Sequence, residues 1–109
     1  MPVTAYISIL HRASGVALIA AVGILLGLLA YSLKSAEDFA SVQACLHSVP
    51  MRLLIWAVLS AFIYHLVAGI KHLVMDMGIG ETLEGGKAGA VLVAVLSVIG
   101  VLLAGVWVW

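Results

Sequence analysis

Polar chemistry enters this chain at two places. The first holds Ser8, His11 and Arg12, and the second holds His65, His72 and Asp76. On a helix advancing about 100° per residue, His65, Gly69, His72 and Asp76 fall at about 0°, 40°, 340° and 20°, a stripe about 16 Å long. Three ionisable groups then share one face, and Gly69 leaves bare backbone one turn from His65, room for a flat ligand or a close partner helix. Ser8, Arg12 and Gly15 recur at i, i+4 and i+7 with His11 one turn beyond Ser8, so hydroxyl, imidazole and guanidinium gather on one short stretch. His65 and His72 stand roughly 10 Å apart along the helix axis, too far to share one metal ion, so the two imidazoles must do different jobs.

The elements that position these groups follow from composition. Of 109 residues, 65% are hydrophobic and 9% charged, more oil than a soluble domain of this size can hide. Three uncharged runs meet or approach the roughly 20 residues that cross about 30 Å of hydrocarbon: 13–33 between Arg12 and Lys34, 53–70 between Arg52 and Lys71, and 88–109 beyond Lys87. The chain is therefore expected to be all-α, one integral-membrane domain over 1–109 with transmembrane helices at about 8–33, 51–75 and 86–109. MPVTAYISILHR places its charge after the first apolar residues, unlike a removable signal peptide, so the first run is expected to be retained.

Between the first two spans, AEDFASVQACLH predicts a short surface helix with Ser35 as N-cap and acids in its first turn; His47 is expected to be solvated. Gly23 and Gly27 have the spacing that permits close helix approach. DMGIGETLEGGK at 76–87 predicts a turn, since a phosphate loop needs Ser or Thr after its GK. The third span has no ionisable residue beyond Lys87 and predicts scaffold, with Trp107 and Trp109 as interfacial anchors. A net charge of zero with scattered basic residues excludes a nucleic-acid patch. The single cysteine, Cys45, excludes an intrachain disulfide and lacks the paired spacing of zinc or iron–sulfur sites.

Three spans put His11 and Arg12 at the same membrane face as Lys71, His72 and Asp76. With Arg12, Lys71 and Lys87 on that side against Lys34 and Arg52 on the other, the N-terminus is expected inside. His65 lies about 9 Å inward of Lys71, within hydrocarbon, where an unpaired polar group is costly. Two readings are open, a hydrogen bond to a neighbouring helix or ligation of a metal or haem. Haem suits a neutral imidazole beside Gly69, and its propionates would meet His11 and Arg12 as charge-assisted donors; the alternative for those two is interfacial anchoring. No second histidine lies at that depth, so a bis-histidine haem requires a ligand from another polypeptide.

SILHRASG at 8–15 followed by HLVAGIKHLVMDMG at 65–78 resembles the larger membrane-anchor subunit, the cytochrome b subunit, of bacterial succinate dehydrogenase (complex II). The resemblance implies a haem-bridged heterodimeric helical bundle in the bacterial inner membrane. It implies that His65 is a haem b axial ligand opposite one from the smaller anchor subunit, and that His11 and Arg12 lie near the propionates. It also implies that Ser8 and Arg12 help bind ubiquinone near the cytoplasmic side; His72 and Asp76 match motif positions with structural or proton-related duties. An iron–sulfur subunit and a flavoprotein subunit are the further partners implied, and nothing in this chain resembles a flavin or dicarboxylate site, so no complete active site is expected. Family members carry a polar, basic segment before the first span, whereas this sequence starts at Met1-Pro2, nearly at the motif; either the sequence is truncated or contact with the soluble subunits is expected to be reduced. The rivals are the anchor of a quinol:fumarate reductase and, from another class, a cofactor-free structural or transporter subunit.

Overall fold

In lipid every backbone N–H and C=O must be paired within its own segment, so long runs of leucine, valine, isoleucine and alanine without interior proline become helices. The computed structural model of the chain describes residues 3–79 and 82–109. It contains α1 (Val3–Ser32), α2 (Ala36–Leu46), α3 (Val49–Asp76) and α4 (Leu83–Val108). α1, α3 and α4 are long and apolar enough to cross a membrane, and the chain is a multi-pass membrane protein. At 30, 28 and 26 residues they run about 39–45 Å, longer than a hydrocarbon core of about 30 Å. Because α1 begins at Val3, Ser8, His11 and Arg12 stand inside a helix rather than at its lip.

The short surface helix is α2. Ser35 has extended backbone (φ −162°, ψ 166°) and accepts from the Asp38 N–H at 3.0 Å, while Glu37 and Asp38 meet the positive end of the helix dipole. His47 folds back on α2, its Nδ1 2.7 Å from the Gln43 carbonyl, and takes no part in the site. Pro50 sits in the first turn of α3, where its missing N–H costs nothing. α3 stops at a glycine turn: Gly78 adopts φ +88°, its N–H reaches the Met75 carbonyl at 2.9 Å, and the Ile79 N–H reaches that of Val74 at 3.3 Å. Of the turn expected at 76–87, Gly80 and Glu81 lie outside the described residues, as does Pro2. Thr82 caps α4 by accepting from the Gly85 N–H at 3.0 Å.

α3 is the middle element, packed against α1 on one side and α4 on the other, in a molecule 56 Å long and 24 by 22 Å across. The buried cluster is Ile7, Ala68, Ala90 and Val93, with Tyr64 and Val67 against it. Among the described residues no large side chain is fully buried, which fits helices that associate in lipid through small residues and close backbones. The start of α1 and the start of α4 share one end of the bundle with the end of α3: Thr4 Cγ2 is 3.8 Å from where a Cβ on Gly86 would stand, and Tyr64 Oη donates to the Ile7 carbonyl at 2.6 Å. The close approach expected at Gly23 and Gly27 does not occur within the chain; nothing described lies within 4 Å of a Cβ built at either, because both sit on the outer face of α1. Trp107 is also exposed, at 79%, near the free end of α4, and the Arg52 guanidinium sits 5.6 Å over the ring of Trp109.

Candidate functional site

α3 presents its polar stripe at the seam with α1, and the two clusters that are distant in sequence meet there. His65 stands half-buried with Nδ1 3.0 Å from Ser14 Oγ and 3.2 Å from the His11 carbonyl, both on α1. Ser14 Oγ is 2.8 Å from the same His11 carbonyl. The rings of His11 and His65 stack with centroids 4.2 Å apart and planes 8° from parallel, and His72 meets His11 edge-on at 5.3 Å. Three imidazoles thus form a short row along the seam, His65 deepest and His72 nearest the end of α3.

Two glycines make this approach possible. A Cβ on Gly15 would stand 3.1 Å from His65 Cε1, and one on Gly69 would stand 3.3 Å from His11 Nε2. Each helix therefore gives up a side chain where the other inserts an imidazole. The space beside Gly69 is filled at that point by the His11 ring, which makes it a port for a partner helix; beyond it the seam opens.

His11, His65, Leu66, Gly69 and His72 line an open hollow of about 380 Å³. One edge of His65 is held by α1 through Nδ1, and Nε2 makes no hydrogen bond among the described residues. A bound axial ligand needs that arrangement, one ring nitrogen tied to the protein and the other bare. Among the described residues no three His, Cys, Asp or Glu side chains converge to hold a metal ion, so no polydentate metal centre forms there.

Ser8, Arg12 and Asp76 do not line the hollow. Ser8 and Arg12 lie about 60° and 100° round α1 from His11, on the flank of the seam. Ser8 is half-buried and Arg12 exposed, and neither makes a side-chain hydrogen bond or ion pair among the described residues. Asp76 is the exposed last residue of α3. Two site residues escape sequence reasoning, Ser14 and Tyr64, while Gly15 was singled out by spacing without its contact to His65. Ser14 was legible only as a small residue and Tyr64 as an aromatic in an apolar run, because their roles depend on how α1 and α3 are rotated about their own axes. The one available signal was that Ser14 follows His11 by three residues, within reach of its carbonyl.

Comparison with known proteins bears on this geometry. Residues 1–104 match the family described as succinate dehydrogenase/fumarate reductase transmembrane subunit. The succinate dehydrogenase cytochrome b556 subunit of Coxiella burnetii is 42% identical over 109 residues, covering 99% of this chain and 87% of the relative. The protein of the same name from Paracoccus denitrificans is 31% identical over 106 residues, 91% of this chain and 82% of the relative. That of Rickettsia felis is 34% identical over 84 residues, 77% of this chain and 64% of the relative.

Proposed function

Because the chain belongs to the succinate dehydrogenase/fumarate reductase transmembrane subunit family, we propose that it is the cytochrome b anchor of a succinate:ubiquinone oxidoreductase. In this reading His65 would hold the iron of a haem b together with a residue of a smaller anchor subunit, which would also close the open side of the hollow. The observation that carries it is the state of His65: an imidazole at membrane depth with Nδ1 tied to α1 and Nε2 bare beside about 380 Å³ of open space. The b556 designation of the relatives supports a haem as the occupant. When bound, the haem supplies a one-electron store beside the quinone site.

The chain's own residues bind and orient. Arg12, permanently charged and without a hydrogen-bond or ion-pair partner among the described residues, stabilises the negative charge that builds on a quinone oxygen during reduction, and with His11 pairs with propionates. Ser8, one turn before Arg12, donates a hydrogen bond to a quinone oxygen. His72 and Asp76 line the way to the end of α3, where water can deliver protons. Iron–sulfur and flavoprotein subunits complete the assembly, in the bacterial inner membrane with the N-terminus of this chain on the cytoplasmic side.

The test is a reduced-minus-oxidised spectrum of the complex purified from membranes, with His65 intact and with His65→Leu. The expected result is a b-type spectrum that is lost or altered in the variant; an unaltered spectrum removes His65 as ligand, and no spectrum in the parent complex favours a cofactor-free structural subunit. Ser8→Ala should lower quinone reduction while succinate-to-dye activity persists, and an undiminished quinone rate takes Ser8 out of the site. The family description also covers fumarate reductases, which keeps the reverse direction as a second reading. Turnover with ubiquinone against menaquinone separates the two.

A further inference from the structure

Ser14 follows His11 by three residues on α1, and its hydroxyl reaches back to the His11 carbonyl at 2.8 Å. A carbonyl oxygen only accepts, so the one hydroxyl proton of Ser14 is committed to that bond. What Oγ offers α3 is then a lone pair, and His65 Nδ1 stands 3.0 Å from it. The His11 carbonyl, also an acceptor, lies 3.2 Å from the same nitrogen. Neither oxygen around Nδ1 has a proton to give. Turning the Ser14 hydroxyl toward Nδ1 instead would leave the His11 carbonyl facing a ring lone pair, two acceptors set against each other.

We propose that Ser14 is a positioning residue for His65: with the His11 carbonyl it keeps the ring proton on Nδ1, leaves Nε2 as the bare electron-rich nitrogen, and so sets the potential of the haem that Nε2 ligates. The inference rests on the reading of His65 as an axial ligand. Three further features support the positioning. Ser14 is 9% exposed, in a helix that crosses lipid, so water does not substitute for its hydroxyl. Gly15 lacks the Cβ that would stand 3.1 Å from His65 Cε1, which lets the ring close on Ser14. The stacked His11 ring covers one face of the imidazole at 4.2 Å and limits its rotation. An imidazole whose Nδ1–H is given to oxygen acceptors is a stronger donor through its other nitrogen, which favours ferric over ferrous iron.

The experiment is a redox titration of the haem in the complex purified from membranes, with electron paramagnetic resonance of the oxidised form, for the parent, Ser14→Ala and Ser14→Thr. Losing the hydroxyl is expected to weaken the ferric preference about tenfold, the scale at which partners behind a metal ligand act. That is an upward midpoint shift of about 59 mV for a one-electron couple. The low-spin g values should move with it, and Ser14→Thr, which keeps a hydroxyl, should stay near the parent. An unchanged midpoint and unchanged g values in Ser14→Ala overturn the proposal while leaving His65 as ligand, as does a Ser14→Thr midpoint displaced as far as that of Ser14→Ala. A spectrum indifferent to His65→Leu overturns the ligation reading, and this inference with it. Should Ser14→Ala yield no complex, Ser14→Cys is titrated in its place, since a thiol keeps the volume but is a weak partner, and the same two outcomes decide.

Discussion

The two faces of α3 are built on different terms. Toward α4, glycines on one helix receive bulky side chains from the other: Gly100 lies under Ile63, Gly105 under Trp56 and Gly89 under Lys71. Trp56 Nε1 ties the seam by donating to the Val101 carbonyl at 2.8 Å. Toward α1, Ile7 packs on Ala68, and the contacts added to that are polar, Tyr64 to the Ile7 carbonyl and His65 to Ser14. Hollows open along both seams, of about 380 and 440 Å³ toward α1 and a smaller one of about 310 Å³ between α3 and α4. The face toward α4 is held by side chains seated on glycines. The face toward α1 holds every imidazole of the membrane-spanning segments. Where two helices leave space between them, hydrogen bonds can fix a ring's orientation without occupying the space in front of it.

Overfilling the glycine-lined face toward α4 is the strongest way to test the contrast. A Cβ on Gly100 would stand 2.6 Å from Ile63 Cγ2, a branch held stiffly near the α3 backbone. Gly100→Ala is expected to cost about 1–3 kcal/mol in overpacking, more than the roughly 0.5–1 kcal/mol that alanine returns to a helix. A lower unfolding temperature of the purified complex checks it, and a rise would mean that the α3–α4 seam is looser than its geometry.

Next in size is Tyr64→Phe, which deletes the bond to the Ile7 carbonyl on the face toward α1 and should cost about 0.5–1.5 kcal/mol. The contrast sharpens if this variant disturbs the haem spectrum more per unit of lost stability than Gly100→Ala does. The smallest effect is expected from Gly69→Ala. Its Cβ would ask His11 Nε2, the end of a side chain, to give a few tenths of an ångström from 3.3 Å, and the helix gain of about 0.5–1 kcal/mol offsets that. Stability should stay within about 0.5 kcal/mol of the parent, while electron paramagnetic resonance of the haem registers the moved ring; an unmoved signal would show that His11 stacking does not touch the ligand field.

Much of this was written in residue order. Hydropathy located the three spans, Ser35 with its two acids located α2, and the parity of the spans brought His11 to the same end as His72. Rotation was not legible. α1, α3 and α4 are hydrophobic nearly all round, so no apolar stripe tells which face turns inward. That is why Gly23 and Gly27, with the more familiar spacing, face outward, while Gly15 and Gly69 admit the histidines. It is also why Ser14, the residue nearest His65 Nδ1, carried no mark of its role.

The glycine turn at Gly78 has one more effect. A helix that frays stops at no fixed residue, whereas α3 is terminated by two backbone bonds and a left-handed φ. The thirteen residues from His65 to that stop are then a ruler of about 20 Å. Adding or removing a residue along it would swing the imidazole about 100° away from Ser14, so the count between His65 and the turn is part of the site even though no residue in the turn touches it.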